Sequence, residues 1–520
     1  MSSVGAGTDL SGSALPVPPL QRPANAQLLK LLLPFIVVLI VIRLWLMPLT
    51  SSFWIDEIAT VFVVHSGAHD ASLKVAPQVG QSIYYALPGI LERIFGTSEI
   101  SYRLVSLLAM AATLYFVFRL AVRLIHPQAG WFAVLACLAL RGFNYQAADA
   151  RPYAVGTCVA AGSLVLLVRW LDSGHLWDGL YFAVAASLLW RVHLIYWPFY
   201  GVYFAYTIAR LLKRETNVAW RHAALVFALL GLSLLPVAAS ALALNRQAGA
   251  HVVAAVPSFN DLASAVKLGL IAGSCTLAVM GARWFRWPPN PESVCSGSAL
   301  LLILVWWLCQ PVCLFGFSWI TGNSVFLPRY MFIALPGAAL MATVAAAPFL
   351  PAAQWRPVSI VLGAAILLFL GQWGHLWPVH QNSDWRAAAA GIQKLGIDAE
   401  VPVICPSPFI EARAPEWNPD YALPGFLYAH LSVYPIPGKI YPFPFQTSPE
   451  AEKFAVRLSR DTLAGSKRFV IYGWNQNVWF WRDLFAARPE LSGWTKRRLG
   501  SFGDVEAIVF EMRDSTLVRQ

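Results

Sequence analysis

Asp56 and Glu57 are adjacent carboxylates in the run Phe53, Trp54, Ile55, Asp56, Glu57, Ile58. Desolvation among such apolar neighbours raises a carboxylate's pKa toward the range of a general base. The same pair also reads as a solvated charge pair at a membrane surface. A second cluster holds Asp149, Arg151, Pro152 and Tyr153. Asp149 suits a helix cap and Pro152 a first helical turn. Arg151 does not suit that role, because a cation at a helix N-terminus opposes the helix dipole. It needs an anion, whether Asp149, Asp56 or a phosphate. A third site is Leu327, Pro328, Arg329 and Tyr330. Arg329 either anchors at lipid headgroups or clamps a phosphate, whose oxygens match the guanidinium fork. His193 reads as a hydrogen-bonded structural residue or a site member, and Tyr84 and Tyr85 as interfacial aromatics or site lining. The chain contains no P-loop and no strand-linked glycine fingerprint. No nucleotide cofactor is expected, and an activated substrate has to supply the energy.

A membrane is what could bring such distant residues together. The 520 residues are 58% hydrophobic and 12% charged, against roughly 25% charged in soluble domains. The first 26 residues, rich in Ser, Gly, Ala and Pro, read as a disordered tail. Apolar stretches of spanning length then recur at 27–49, 102–125, 129–143, 152–171, 178–191, 193–212, 222–243, 263–282, 297–320, 330–350 and 357–376. One set of connections carries Arg119, Arg123, Arg169, Arg210, Lys213, Arg214, Arg221, Arg283, Arg286 and Arg356. The alternate set carries Asp56, Glu57, Glu92, Glu99, Asp149 and Asp261. The positive-inside rule puts the N-terminus in the cytoplasm, and about eleven spans then export the C-terminus. The net charge of +11 is thereby a topology signal, and no nucleic-acid partner is expected. All the candidate residues fall on the external side, as a polar membrane site requires.

The first external connection, 50–101, contains amphipathic segments at Glu57–Ser66 and Ser82–Phe95, read as interfacial helices. From about residue 377 the chain turns polar. Asp384–Leu395 reads as a helix, and Val401–Cys405, Phe469–Gly473 and Glu506–Glu511 as strands of a small soluble α/β domain over 377–520. The seven cysteines show no metal-ligand spacing, and Cys405 is alone in that domain.

Several short elements, in order, carry a resemblance: Trp54–Glu57; Ser82–Tyr85; Phe95–Glu99 leading to Arg103; Asp149–Tyr153; Arg329–Tyr330; and Asp384–Arg386. Together the set resembles the GT-C superfamily of polyprenyl-phosphate-dependent glycosyltransferases. It is closest in pattern to the branch of protein O-mannosyltransferases, lipid A aminoarabinose transferases and lipopolysaccharide-core galacturonosyltransferases. The resemblance implies a polytopic helical GT-C module over 27–376, in the inner membrane of a bacterium, with an extracytoplasmic C-terminal domain. It implies one inverting displacement that moves a sugar from a polyprenyl-phosphate donor to a glycan, lipid or protein acceptor, with membrane lipids as partners. Asp56 would be the general base or the carboxylate that orients the acceptor, Glu57 its support or co-ligand of a divalent cation (Mg or Mn), and Asp149 a second acid. Arg329, with Tyr330 and Arg151, would hold the departing phosphate. One departure is plain: the tyrosine pair follows Pro77, Gln78, Val79, Gly80 and Gln81 rather than a Pro-Pro or Lys-Pro step. A transporter or flippase for a lipid-linked substrate is the rival reading. It lacks support from any inverted repeat or paired broken helices.

Overall fold

The computed structural model describes residues 24–77, 79–247, 255–288 and 295–512. Residues 1–23 of the expected tail lie outside them. Helix α1 (Ala24–Val41) continues through a π-helical turn, Ile42–Leu46, and a 3-10 turn, Met47–Thr50. The connection after this first span contains α2 (Ile55–Ser66) and α3 (Ala86–Phe95), and α4 (Glu99–Leu124) returns through the bundle. The bundle goes on through α5 (Gly130–Leu138), α6 (Arg141–Ala147), α7 (Tyr153–Ser173), α8 (Leu176–Val192), α9 (Tyr200–Leu212) and α10 (Trp220–Gln247). It closes with α11 (Phe259–Val266), α12 (Leu268–Trp284), α13 (Gly297–Thr321), α14 (Leu335–Ala346) and α15 (Trp355–Leu370).

Among the described residues seven helical segments are long and apolar enough to cross a membrane, or eight counting α11 and α12, which meet at 45°. The other three apolar stretches are shorter or interrupted. α5 and α6 are separate helices, α8 has 17 residues, and α9 follows a 3-10 segment, Leu194–Phe199. Helices α13 and α14 touch backbone to backbone at Gly337, where a Cβ would lie 2.6 Å from the Trp307 nitrogen. Small residues permit such approach in membrane bundles.

The two helices of the first connection differ. α3 exposes Leu87, Ile90, Ile94 and Phe95, as an interfacial helix does. α2 is buried along most of its length, and Ile58, Phe62 and Val63 share a core with the C-terminal domain. That domain covers α2, so its apolar face meets protein instead of lipid. Burying each such side chain contributes roughly 1.5–3 kcal/mol.

In the C-terminal domain, α16 (Trp385–Gln393) is capped by Asp384, whose side chain accepts the Ala387 N–H at 2.9 Å. It precedes β1 (Pro402–Pro406), α17 (His430–Val433), β2 (Lys439–Phe443), α18 (Pro449–Asp461) and β3 (Arg468–Trp474). Next come α19 (Asn475–Ala486), β4 (Trp494–Arg498) and β5 (Val505–Met512). The sheet order is β2-β1-β3-β5-β4, parallel across β2, β1 and β3 and antiparallel from β3 through β5 to β4.

Candidate active site

The site is built where α2, α4, the loop before α7 and the chain entering the C-terminal domain meet. Helix α2 begins at Ile55 because Glu57 folds back to accept the Trp54 N–H at 3.1 Å, half of a capping box. Glu57 is fully buried, and so is its partner Arg103 of α4. The guanidinium grips it bidentately, Nε to Oε1 at 2.7 Å and Nη2 to Oε2 at 2.5 Å. Oε1 also accepts the Ala150 N–H at 2.7 Å. The remaining Arg103 donors reach the carbonyls of Leu49 (2.9 Å), Ser51 (2.6 Å) and Ser52 (3.1 Å). One buried ion pair thus pins the end of the first span, the start of α2 and the loop carrying Asp149. Adjacent in sequence, Asp56 and Glu57 are engaged in different networks.

Asp56, in the first turn of α2 where the helix dipole favours an anion, pairs with Arg329: Nη1 to Oδ2 at 2.7 Å. Its carbonyl accepts Arg151 Nη1 at 3.0 Å, and Arg151 also reaches Thr60 Oγ1 at 3.3 Å. The Nε groups of both arginines are buried with no hydrogen-bond partner among the described residues, as is the Tyr84 hydroxyl. Tyr85 lies within electrostatic reach of Arg151, and burial raises its phenol above the usual range. His193 spends Nδ1 on the Ile195 N–H at 3.3 Å. Its ring packs on Tyr153 (5.6 Å) and Tyr330 (5.4 Å). Arg151 lies over Tyr153 at 6.0 Å and Arg329 over Tyr330 at 5.8 Å. Two cations on an aromatic floor, each with an unused N–H beside Asp56, make a place for an anion.

Asp149 is 1% exposed. Oδ1 accepts Trp54 Nε1 at 3.0 Å, and Oδ2 has no partner among the described residues. Burial pushes its pKa up to about 7. At 3.5 Å from Oδ1 lies His380 Nε2, also without a hydrogen bond and held neutral, because burial lowers that pKa to about 3. Glu57, Asp149 and His380 each offer a ligand atom, all within 4.8 Å of one another. The open side of Asp149 faces a cavity of about 430 Å³, lined also by Trp54, Arg141, Tyr145, Arg329 and Phe332.

The sequence reading missed two members. His380 arrives because Arg43, in the π-helical turn, donates to the carbonyls of Gly371 (2.7 Å), His375 (2.7 Å) and Leu376 (2.8 Å), fixing the segment before it. Glu411, from the loop after β1, lies within electrostatic reach of Asp56 and Arg329. Its carboxyl is raised by burial and by Asp56. Neither residue stands in a pattern that marks it in the sequence.

Residues 83–237 match the family described as dolichyl-phosphate-mannose-protein mannosyltransferase. That stretch includes Tyr84, Tyr85, Asp149, Arg151 and His193. A search of curated proteins finds no match to the chain. Among solved structures, the chain resembles ArnT from Cupriavidus metallidurans in the apo state. The TM-score is 0.53 at 12% identity, over 94% of this chain and 98% of that one. It resembles the same ArnT bound to undecaprenyl phosphate with a TM-score of 0.52 at 13% identity, over the same shares of the two chains.

Proposed function

We infer that this chain, a multi-pass membrane glycosyltransferase of GT-C type by its fold and family match, takes its sugar from a polyprenyl-phosphate donor. The acceptor is an extracytoplasmic glycan, lipid or protein. The observation that carries this reading is the Asp56–Arg329 ion pair beside Arg151, with two unused guanidinium N–H groups. It stands next to a largely apolar cavity of a size for a lipid-linked sugar. The undecaprenyl phosphate in the ArnT structure supports the lipid carrier.

The donor's phosphate replaces the Asp56 carboxylate at Arg329 and takes up the Arg151 Nε–H. Asp56, released, accepts the proton of the acceptor hydroxyl as that oxygen attacks the anomeric carbon. The bond from the anomeric carbon to the phosphate oxygen breaks, and the electron pair leaves on polyprenyl phosphate, whose charge the two arginines neutralise. One displacement inverts the anomeric centre. Tyr84, Tyr85, His193 and Tyr330 line the donor's path. We place the site on the extracytoplasmic face of a bacterial inner membrane and the N-terminus in the cytoplasm. The paired Arg123, Asp172 and Arg210 sit at the opposite ends of α4, α7 and α9. The test is purified protein supplied with membrane-extracted polyprenyl-phosphate sugars and acceptor. Polyprenyl phosphate released in step with sugar transferred supports the reading; movement of intact donor across vesicles without cleavage sinks it.

Arg329→Lys should lower kcat by about 10²-fold, the scale of losing one aimed donor to a developing charge. A point-charge ammonium does not reproduce the fork. A steady-state assay in which the lysine variant keeps the wild-type kcat removes Arg329 from the phosphate site.

A divalent cation fits some of these residues better than others. Glu57 has both oxygens occupied by Arg103, so Asp56 and Glu57 do not offer a free carboxylate pair. Among the described residues Asp149 Oδ2 and His380 Nε2 have no hydrogen-bond partner and fit a cation, with Glu57 Oε1 or Oε2 as a shared third ligand. An imidazole among carboxylates suits Zn or Mn over Mg. When bound, such an ion would supply positive charge beside the reacting phosphate. His380→Ala should weaken Zn binding, read by calorimetry on the detergent-solubilised chain, by at least about tenfold. Equal affinity in the variant would exclude His380 as a ligand.

A further inference from the structure

The C-terminal domain holds a second recess of about 340 Å³, which shares no residue with the site above. Trp479 and Arg482 of α19 form one wall, and Lys496 and Arg498 of β4 the other, on the face they share with Glu506 and Ile508 of β5; Arg497 turns to the opposite face of the sheet. Strand β4 is a sheet edge, and its residues 495–498 are exposed. Cations on an edge discourage pairing with another chain, which accounts for the basic run but not for Glu506. That side chain is 1% exposed and ion-paired through Oε1 with Arg498 Nε. Its Oε2 is buried with no hydrogen-bond partner among the described residues. A buried acceptor left open costs roughly 1–3 kcal/mol, and native proteins rarely leave one without a reason. Trp479 is 42% exposed at the mouth. Asp483 engages Arg482 at 2.7 Å, while Lys496 and Arg497 are in no ion pair among the described residues.

We propose that this recess binds an acidic glycan: a sugar ring against Trp479, its carboxylate or phosphate substituent on Lys496, and a ring hydroxyl donating to Glu506 Oε2. Each part of the recess selects. A bare phosphate would set its own negative charge against the Glu506 carboxylate. A neutral sugar would leave the Lys496 ammonium unanswered, and an anionic lipid surface would not reach the buried oxygen. An indole face and a sugar's C–H face pack well, the ring being apolar in body and polar at the rim. As acceptor recognition the proposal rests on the transferase reading; as binding it does not.

The experiment is equilibrium binding to the full chain in detergent. The probes are trigalacturonate, glucose 6-phosphate, maltotriose, inorganic phosphate and phosphatidylglycerol vesicles. One of the two acidic sugars should bind in preference to maltotriose, and which one does names the anionic group. Trp479→Ala and Lys496→Gln, both at exposed positions, should each weaken it about tenfold, the worth of one good polar or stacking contact. Glu506→Gln should weaken the sugar while leaving or improving inorganic phosphate. Asp56→Asn should leave binding unchanged. Equal binding by the variants, a match by maltotriose or inorganic phosphate, or Lys496-dependent capture of vesicles with no sugar bound would each overturn it. Acidic-sugar binding without any transfer sinks the transferase reading alone; transfer without such binding sinks this proposal alone.

Discussion

Asp56→Asn should reduce sugar transfer by at least about 10³-fold, within the 10²–10⁴ that a positioned general base supplies, while the protein keeps its fold. The amide is the same size and can still accept a hydrogen bond from Arg329, but it cannot take the acceptor's proton. Asp56 is also partly exposed, its side chain at 22%, so losing its charge leaves no buried cation stranded in a dry core. Donor binding should hold or tighten, because the substitution removes the carboxylate with which the donor phosphate competes for Arg329. Single-turnover assays beside direct binding of a labelled polyprenyl-phosphate sugar separate the two effects. Retention of the wild-type rate by the asparagine variant would end the case for Asp56 as base.

Glu57→Gln and Arg103→Met should do the opposite, destabilising the protein by about 3–5 kcal/mol each, the usual result of removing one partner from a buried ion pair. Arg103→Met is the more severe, since it also strands the carbonyls of Leu49, Ser51 and Ser52. Thermal melts in detergent should show both variants well below Asp56→Asn, with activity lost through unfolding. If Glu57→Gln melts with the wild type and loses only turnover, Glu57 belongs to the chemistry and not to the frame.

Much of the site was legible because its residues sit in short runs with a physical signature. The misfit of Arg151 at a helix start pointed to an anion; among the described residues it donates instead to a neutral backbone carbonyl, that of Asp56, and to Thr60 Oγ1. Asp56 and Glu57 look alike in sequence. Only the fold assigns one to Arg329 and the other to Arg103, because helix geometry turns neighbours about 100° apart. His380 was illegible for a different reason. A lone histidine after Trp377, Pro378 and Val379 has no period or spacing, and its place depends on the Arg43 clamp 337 positions away in sequence. In the C-terminal domain, the three strands foreseen are β1, β3 and β5, which are apolar and central. The two missed are the edges: Pro442 interrupts β2, tolerable on an edge strand, and β4 is mostly charge. The buried role of α2 could not be read locally, since an amphipathic face does not say whether lipid or protein will cover it.

The C-terminal domain also grips the segment that leads into Asp56. Tyr434 accepts the Phe53 N–H at 2.9 Å and donates to Glu99 at 2.8 Å. Arg386 donates to the Thr50 carbonyl at 2.8 Å and pairs with Glu99 at 3.0 Å. The Phe426 N–H reaches Ser72 at 2.9 Å. For anyone building hybrids between related enzymes, the natural cut after the last membrane helix is therefore the wrong one. A graft of residues 377–512 alone would set foreign side chains against a native 50–53 strap and misplace Asp56, which that strap steadies. Carrying residues 50–101 across with the graft keeps both halves of that seam from one parent, and such hybrids are the ones expected to retain turnover.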